Sequence, residues 1–367
     1  MNNSPLYPKL ILDALATVRY PGNGKSITEL QMVEDDMRID GRNVSFSLIF
    51  ELSTDPFIKS VVKAAEAAIH TFAAADAAVS IAVKSRRTVA KKPDNPLPGV
   101  KNIIGVSSGK GGVGKSTVAA NLAVALARQG YKVGLLDADI FGPSVPKMFN
   151  VEDADLYMHN VDGRDLIIPL EQYGVKLLSI GFMVDKAKPV LWRGSMACNA
   201  LNQLITQADW GELDYFLIDM PPGTSDIHLS LVQTLGITGA VIVSTPQQVA
   251  LSDARKGVAM FMDEKVNVPV LGIVENMAWF TPAAHPDERY YLFGREGAKE
   301  LAQQLGVALL GQIPLVADIC EHADAGTPIA LGSNADSAAF AALASAVTEA
   351  VAQRNATLPP SAKVHTR

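Results

Sequence analysis

The chain has 367 residues, 48% of them apolar and 6% aromatic, with a net charge of −6. This length suggests two domains, and the composition suits a globular α/β protein. The acidic balance argues against non-specific nucleic-acid binding by the whole molecule, and two cysteines far apart, Cys198 and Cys320, argue against a disulfide framework.

The first residues, Met1-Asn-Asn-Ser-Pro, show no basic stretch followed by an apolar core. No uninterrupted apolar window reaches the length of about 18 residues that a membrane span needs. A cytoplasmic protein without membrane attachment is therefore expected.

Residues 1–84 read as a small α+β domain. Ile11, Leu15 and Val18 share one face of a helix over 7–18. Strands are expected at 27–33 and 44–52, with Asp40-Gly41 as a hairpin turn. A second helix is expected at 56–72 and a last strand at 77–83. Residues 85–99 form the expected linker, with Lys84, Arg86, Arg87, Lys91 and Lys92 followed by Pro93, Pro96 and Pro98. The basic run reads either as a solvated tether or as a contact for an acidic partner or nucleic acid.

From Val100 the pattern alternates strand and helix. Strands are expected at 102–107, 132–137, 175–180, 215–219, 240–244, 270–274 and 308–313, several of them continuous apolar runs that suit a sheet covered on both faces. Helices are expected at 226–235, 249–264, 294–305 and 336–352, with Asp336 as the N-cap of the last. Residues 100–354 thus read as a doubly wound α/β domain with a mostly parallel sheet. Residues 355–367, with Pro359-Pro360, are expected to be a disordered tail.

Between the first of these strands and an alanine-rich helix lies Gly109-Lys110-Gly111-Gly112-Val113-Gly114-Lys115-Ser116-Thr117. Gly109, Gly114, Lys115 and Ser116 satisfy the phosphate-loop spacing G-x-x-x-x-G-K-[ST]. Glycines let backbone N–H groups curl around phosphate oxygens, and the helix that starts there adds its positive end. Lys115 can reach the β- and γ-phosphates, and the Ser116 hydroxyl can ligate Mg²⁺.

Asp137 and Asp139 follow one strand; Asp219, Gly223 and Asp226 follow another. Ligand chemistry gathers at this edge of an open α/β sheet. Asp137 and Asp219 are candidate Mg²⁺ ligands, Asp219 in the Walker B role, and Asp139 a candidate for orienting the attacking water. Gly223 can approach a γ-phosphate with its backbone. Asp226 reads equally as a helix N-cap or a direct participant.

The second lysine inside the loop makes 109–117 resemble the deviant Walker A motif of the MinD, ParA and nitrogenase-iron-protein class. The resemblance implies a homodimer sandwiching two ATP molecules, with Lys110 reaching the partner's nucleotide. Further motifs resemble one branch, the Mrp/ApbC-type iron–sulfur cluster carriers. They are 137–144, Trp192-Arg193-Gly194, 219–226, Thr245-Pro246-Gln247, Glu275-Asn276-Met277 and 311–314. That resemblance covers nearly all of residues 5–350, including the small module ahead of the ATPase. It implies that Asn276 meets the adenine, that Pro314 packs near it, and that assembly proteins and recipient apoproteins are partners.

The family's Cys-x-x-Cys pair, expected shortly after Met277, is absent; the chain reads Trp279-Phe-Thr-Pro-Ala-Ala-His285. The small module likewise has Ser53-Thr54-Asp55-Pro56 where related modules carry Cys-Pro. Cys320 remains as a candidate iron–sulfur ligand, completed by its mate in a dimer or by His285 or His322; the alternative is an inert buried thiol. Cys198 reads as inert. The expected function is an ATP-hydrolysing cluster carrier. The alternative is a positioning or regulatory ATPase that dimerises on ATP without a cluster.

Overall fold

The computed structural model describes the chain outside residues 1–5, 22, 53–54, 88–94, 141, 162, 184–193, 283, 286 and 364–367. The chain forms two compact units, Met1–Pro93 and Asp94–Arg367. Trp192, Arg193, Lys91 and Lys92 lie outside the described residues, as does the Asp226 side chain.

The first unit contains α1 (Pro8–Leu15), β1 (Arg38–Asp40), β2 (Asn43–Leu52), α2 (Ile58–Phe72) and β3 (Ala78–Arg87). β1 and β2 are an antiparallel hairpin closed at Asp40–Asn43, and α2 crosses over to bring β3 parallel to β2. Ile11 and Leu15 of α1, with Val61, Ala65 and Ile69 of α2, bury against Phe46, Leu48 and Phe50.

Two expectations fail in this unit. Residues 27–33 are turns, not a strand. Ser26 N donates to Glu29 Oε2 at 2.8 Å and Glu29 N to Ser26 Oγ at 3.1 Å, and Gln31 has φ 52°. Reciprocal capping and a left-handed residue curl the chain, leaving only the Val33–Leu48 bridge. The last strand runs beyond 83 through Arg87, because Lys84 binds Asp36 at 2.9 Å and Glu34 at 3.4 Å while its backbone pairs with Ile49. Part of the expected basic tether therefore belongs to the sheet. Hydrogen bonds from Ser47, then Lys84, lower the Asp36 pKa to about 2.

In the second unit the chain runs β4 (Val100–Ser108), α3 (Lys115–Arg128), β5 (Val133–Asp137), α4 (Val145–Met148), β6 (Met158–Val161), β7 (Arg164–Ile167), β8 (Leu170–Gln172) and β9 (Val175–Ser179). It continues with α5 (Gly194–Thr206), β10 (Leu213–Asp219), α6 (Asp226–Thr234), β11 (Gly239–Ser244), α7 (Gln248–Met262) and β12 (Val270–Glu275). It ends with α8 (Gly297–Leu305), β13 (Leu309–Gln312), α9 (Ala317–Asp324) and α10 (Ala335–Thr357).

The eight-stranded sheet has the order β13-β12-β11-β4-β10-β5-β9-β8, and only the edge strand β8 is antiparallel. One hydrophobic core lies on each face. Residues of α5–α8 fill one; α3, α4 and α10 fill the other. The hairpin β6–β7 was not legible in the sequence, because its short strands are mostly exposed and carry no core-facing alternation.

Helix α10 is long and apolar enough to cross a bilayer by composition. Here its Phe340, Leu343, Ala344 and Val347 are buried in the core beside α3. Its N-cap is Asn334, whose Oδ1 accepts from Ser337 N at 2.9 Å, and not Asp336. The helix reaches Thr357, into the expected tail. Beyond it the chain lies against the sheet's near end, where a Cβ on Gly236 would meet the Ser361 carbonyl at 3.0 Å.

All three tryptophans belong to the second unit, so their fluorescence reports its unfolding alone. Phe340→Ala empties a fully buried site and should cost this unit about 3–5 kcal/mol. Urea unfolding followed by tryptophan emission should show it as a lower midpoint at unchanged slope; an unchanged midpoint refutes the packing.

Candidate nucleotide-binding site

Parallel β5 and β10 end in register, Asp137 beside Asp219, with Val106 of β4 on the other side of Asp219 and β4 running on to Ser108. The chain leaves β4 into the glycine loop and enters α3 at Lys115. This is the switch point of the sheet, where β4 separates strands reached in opposite directions.

Two contacts hold the loop. A Cβ on Gly109 would sit 2.3 Å from the Asp253 carbonyl oxygen and 2.4 Å from Ala254 N, so only glycine lets the loop lie on α7. Gly114 has φ 80°, and a Cβ there would meet Asn276 Nδ2 at 2.2 Å. That amide donates to the Val113 carbonyl at 2.9 Å. Asn276, expected at the adenine, thus also braces the loop. Gly111 and Gly112 are exposed, Lys110 is half-buried, and Ser108 Oγ donates to the Lys110 carbonyl at 2.9 Å.

Lys115 is 6% exposed. Its Nζ lies 2.6 Å from Asp219 Oδ1, 3.5 Å from Asp139 Oδ2 and 3.2 Å from Ser116 Oγ. Burial pushes the Asp219 carboxyl above the ordinary range, and the Lys115 ammonium opposes that shift. Asp219 Oδ2 is buried without a hydrogen-bond partner. An orphaned carboxylate oxygen beside the Ser116 hydroxyl fits a site for Mg²⁺, which needs only one or two protein oxygens when phosphates supply others.

Asp137, also expected at Mg²⁺, accepts hydrogen bonds from the protein on both oxygens. Its Oδ1 accepts from Asp139 N at 3.2 Å, and its Oδ2 from Ser179 Oγ at 2.9 Å and Val145 N at 3.3 Å. Burial, then the neighbouring Asp219 carboxylate, raises its pKa to about 8. Asp137 therefore organises the turn that carries Asp139. Ser179, from the adjacent β9, was not legible as part of the site because 42 residues separate it from Asp137.

Gly223 has φ 79°, and its N–H donates to the Ser108 carbonyl at 2.9 Å, bringing the turn after β10 onto the loop. Ser225, not Asp226, is the N-cap of α6. The Ser225 amide donates to His228 Nδ1 at 3.3 Å, which leaves the His228 proton on Nε2, 3.4 Å from Ser107 Oγ.

Pro314 is half-buried beyond β13. Cys320 lies elsewhere, on α9; it is exposed, not buried, with Sγ 3.8 Å from Asp324 Oδ2. His322 Nδ1 is 2.9 Å from the Thr327 carbonyl, and exposed His285 lies 3.5 Å from Glu288. Cys198 is half-buried against the core. Among the described residues no three His, Cys, Asp or Glu side chains converge as a metal cage.

A doubly wound sheet with a glycine loop, a buried lysine and two strand-end carboxylates defines a P-loop nucleotide-binding protein. Residues 99–351 match the model of the NUBPL iron-transfer P-loop NTPases, and residues 9–81 that of iron–sulfur cluster assembly proteins. The chain belongs to this NUBPL-type family of P-loop NTPases. It is 44% identical over 335 residues to an iron–sulfur cluster carrier protein of Synechocystis, covering 91% of this chain and 94% of that one. It is 47% identical to the iron–sulfur cluster transfer protein NUBPL of Mus musculus, over 69% of this chain and 79% of that one. A nucleotide-binding protein of Archaeoglobus fulgidus, solved with ADP, superposes with a TM-score of 0.56 at 39% identity, over 65% of this chain and 91% of that one.

Adding a methyl at residue 109 should push the loop off α7 at a cost of about 1–3 kcal/mol. Gly109→Ala should therefore weaken ATP binding by about tenfold or more, measured by calorimetry; wild-type affinity refutes the contact.

His228 is 1% exposed, and burial lowers its pKa from 6.5 to about 4. Above pH 6.5 both folded and unfolded forms are neutral and it has no effect. Between 6.5 and about 4 only the unfolded form gains the proton, so stability falls with pH, by up to about 3 kcal/mol. His228→Asn should flatten that acid limb in urea titrations at a series of pH values. An unchanged limb assigns the loss to other groups.

Proposed function

We propose that this protein is an ATP-hydrolysing iron–sulfur cluster carrier of the cytoplasm, working as a homodimer. The observation that carries the reading is the match to a named cluster carrier along 91% of the chain, through both units. The phosphate loop supports the nucleotide half of it.

Loop amides of 109–117 bind the phosphate oxygens of ATP, and Lys115 turns from Asp219 toward the β- and γ-phosphates. Ser116 and Asp219 would hold Mg²⁺, which would neutralise phosphate charge there. Asp139, fixed by the Asp137 side chain through its backbone N–H, orients the water that attacks the γ-phosphorus. The proton of that water passes to solvent or phosphate, and ADP leaves with inorganic phosphate. Lys110 supplies charge to the partner's nucleotide across the dimer. Asn276 and Pro314 border the adenine.

The cargo is an iron–sulfur cluster, passed from assembly proteins to recipient apoproteins. Cys320 offers one exposed thiol per chain, and thiolates are the usual cluster ligands. Two copies would supply two. The positioning-ATPase alternative is less well supported, since Lys84 of the basic run is engaged by Asp36 and Glu34.

Anaerobic reconstitution with iron and sulfide should load wild type and fail with Cys320→Ala, read by the visible absorbance of the cluster and transfer to an apo-ferredoxin. A wild type that never holds a cluster refutes the carrier reading. Lys110→Ala should lower kcat for ATP by about 100-fold while leaving monomeric ATP binding within a few fold; an unchanged kcat refutes its role across the dimer.

A further inference from the structure

Glu275 is a fully buried carboxylate that neither the phosphate chemistry nor the cargo explains. It ends β12, two strands away from β4. Its Oε2 accepts from Ala298 N at 2.6 Å and its Oε1 from Gln312 Nε2 at 2.7 Å. Both donors are uncharged, so the buried charge is held by two short hydrogen bonds and by the positive end of α8. The α8 N-cap residue, Glu296, is left-handed at φ 54° and makes no side-chain cap of its own. Glu275 serves in its place.

The next residue is Asn276. Its backbone N–H is fixed on the Ser244 carbonyl at 2.8 Å, and the Glu275 carbonyl is fixed by Ile313 N at 2.9 Å. Met277 then turns left-handed at φ 55°. The Asn276 amide crosses the end of β11 to the Val113 carbonyl. A run from α8 through Glu275 and Asn276 thus reaches the phosphate loop. Gln312 sets the end of β13, two residues before Pro314.

We infer that Glu275 is a positioning residue for the nucleotide site: it locks the turn that presents Asn276 to the phosphate loop and, with Gln312, the β13 end that leads to Pro314. This rests on the nucleotide-binding reading above. Glu275 touches no reacting atom, so it acts on how tightly the nucleotide is held and not on the chemical step. Loss of such uniform binding raises KM and leaves kcat.

Steady-state ATPase assays and Mg-ATP calorimetry on the full chain test this. Glu275→Ala should raise KM and Kd about tenfold with kcat within about twofold, and Gln312→Ala should raise them about threefold. Glu275→Gln should stay near wild type, because the Gln312 amide can turn over and offer its carbonyl to the new N–H. Wild-type affinity in a folded Glu275→Ala overturns the inference, as does a loss carried by kcat alone or a Glu275→Gln as impaired as Glu275→Ala. If Glu275→Ala does not fold, an unchanged KM in Gln312→Ala overturns it. A wild type that binds no ATP refutes instead the nucleotide reading.

Discussion

The ion pair between Lys115 and Asp219 organises the P-loop unit. Three parallel strands bring their carboxyl ends together, and two of them end in aspartate. A buried carboxylate is costly unless it is paired, and Asp219 is fully buried. Lys115, the first residue of α3, supplies the charge. Removing either partner would strand the other, a loss of about 3–5 kcal/mol. The same ammonium is the group that a nucleotide phosphate needs. The Asp219 carboxylate engages this lysine at 2.6 Å, and in the proposed binding the nucleotide phosphates would take that anion's place.

That exchange requires a loop whose position is settled in advance. Gly109 lies flat on α7, and Gly114 turns left-handed over Asn276. One support comes from each side, and each works because a side chain is missing. Asp137 plays a quieter part behind the strands. With donors from Ser179, Asp139 and Val145, it shapes the turn that aims Asp139.

The nucleotide site is built from groups that fold together, whereas the only exposed thiol among the described residues is on α9, the helix that follows β13. In the proposed reading, nucleotide and cargo are handled by different elements of one domain.

The amino-acid sequence determined the phosphate loop, the two aspartate-ended strands, the alternation of strand and helix, and the module ahead of them. Those features are local, fixed by periodicity and by glycine spacing over a few residues. The sequence misled where local hydrogen bonding overrode pattern, as at 27–33, and where neighbours compete for a cap, as with Asn334 over Asp336 and Ser225 over Asp226. Only the tertiary structure decided that Asn276 braces Val113, that Ser179 holds Asp137, that Cys320 is exposed, and that Glu275 ties α8 to this edge. These contacts join residues tens to more than a hundred positions apart, brought together by strand order, and strand order leaves no mark within any one stretch of chain.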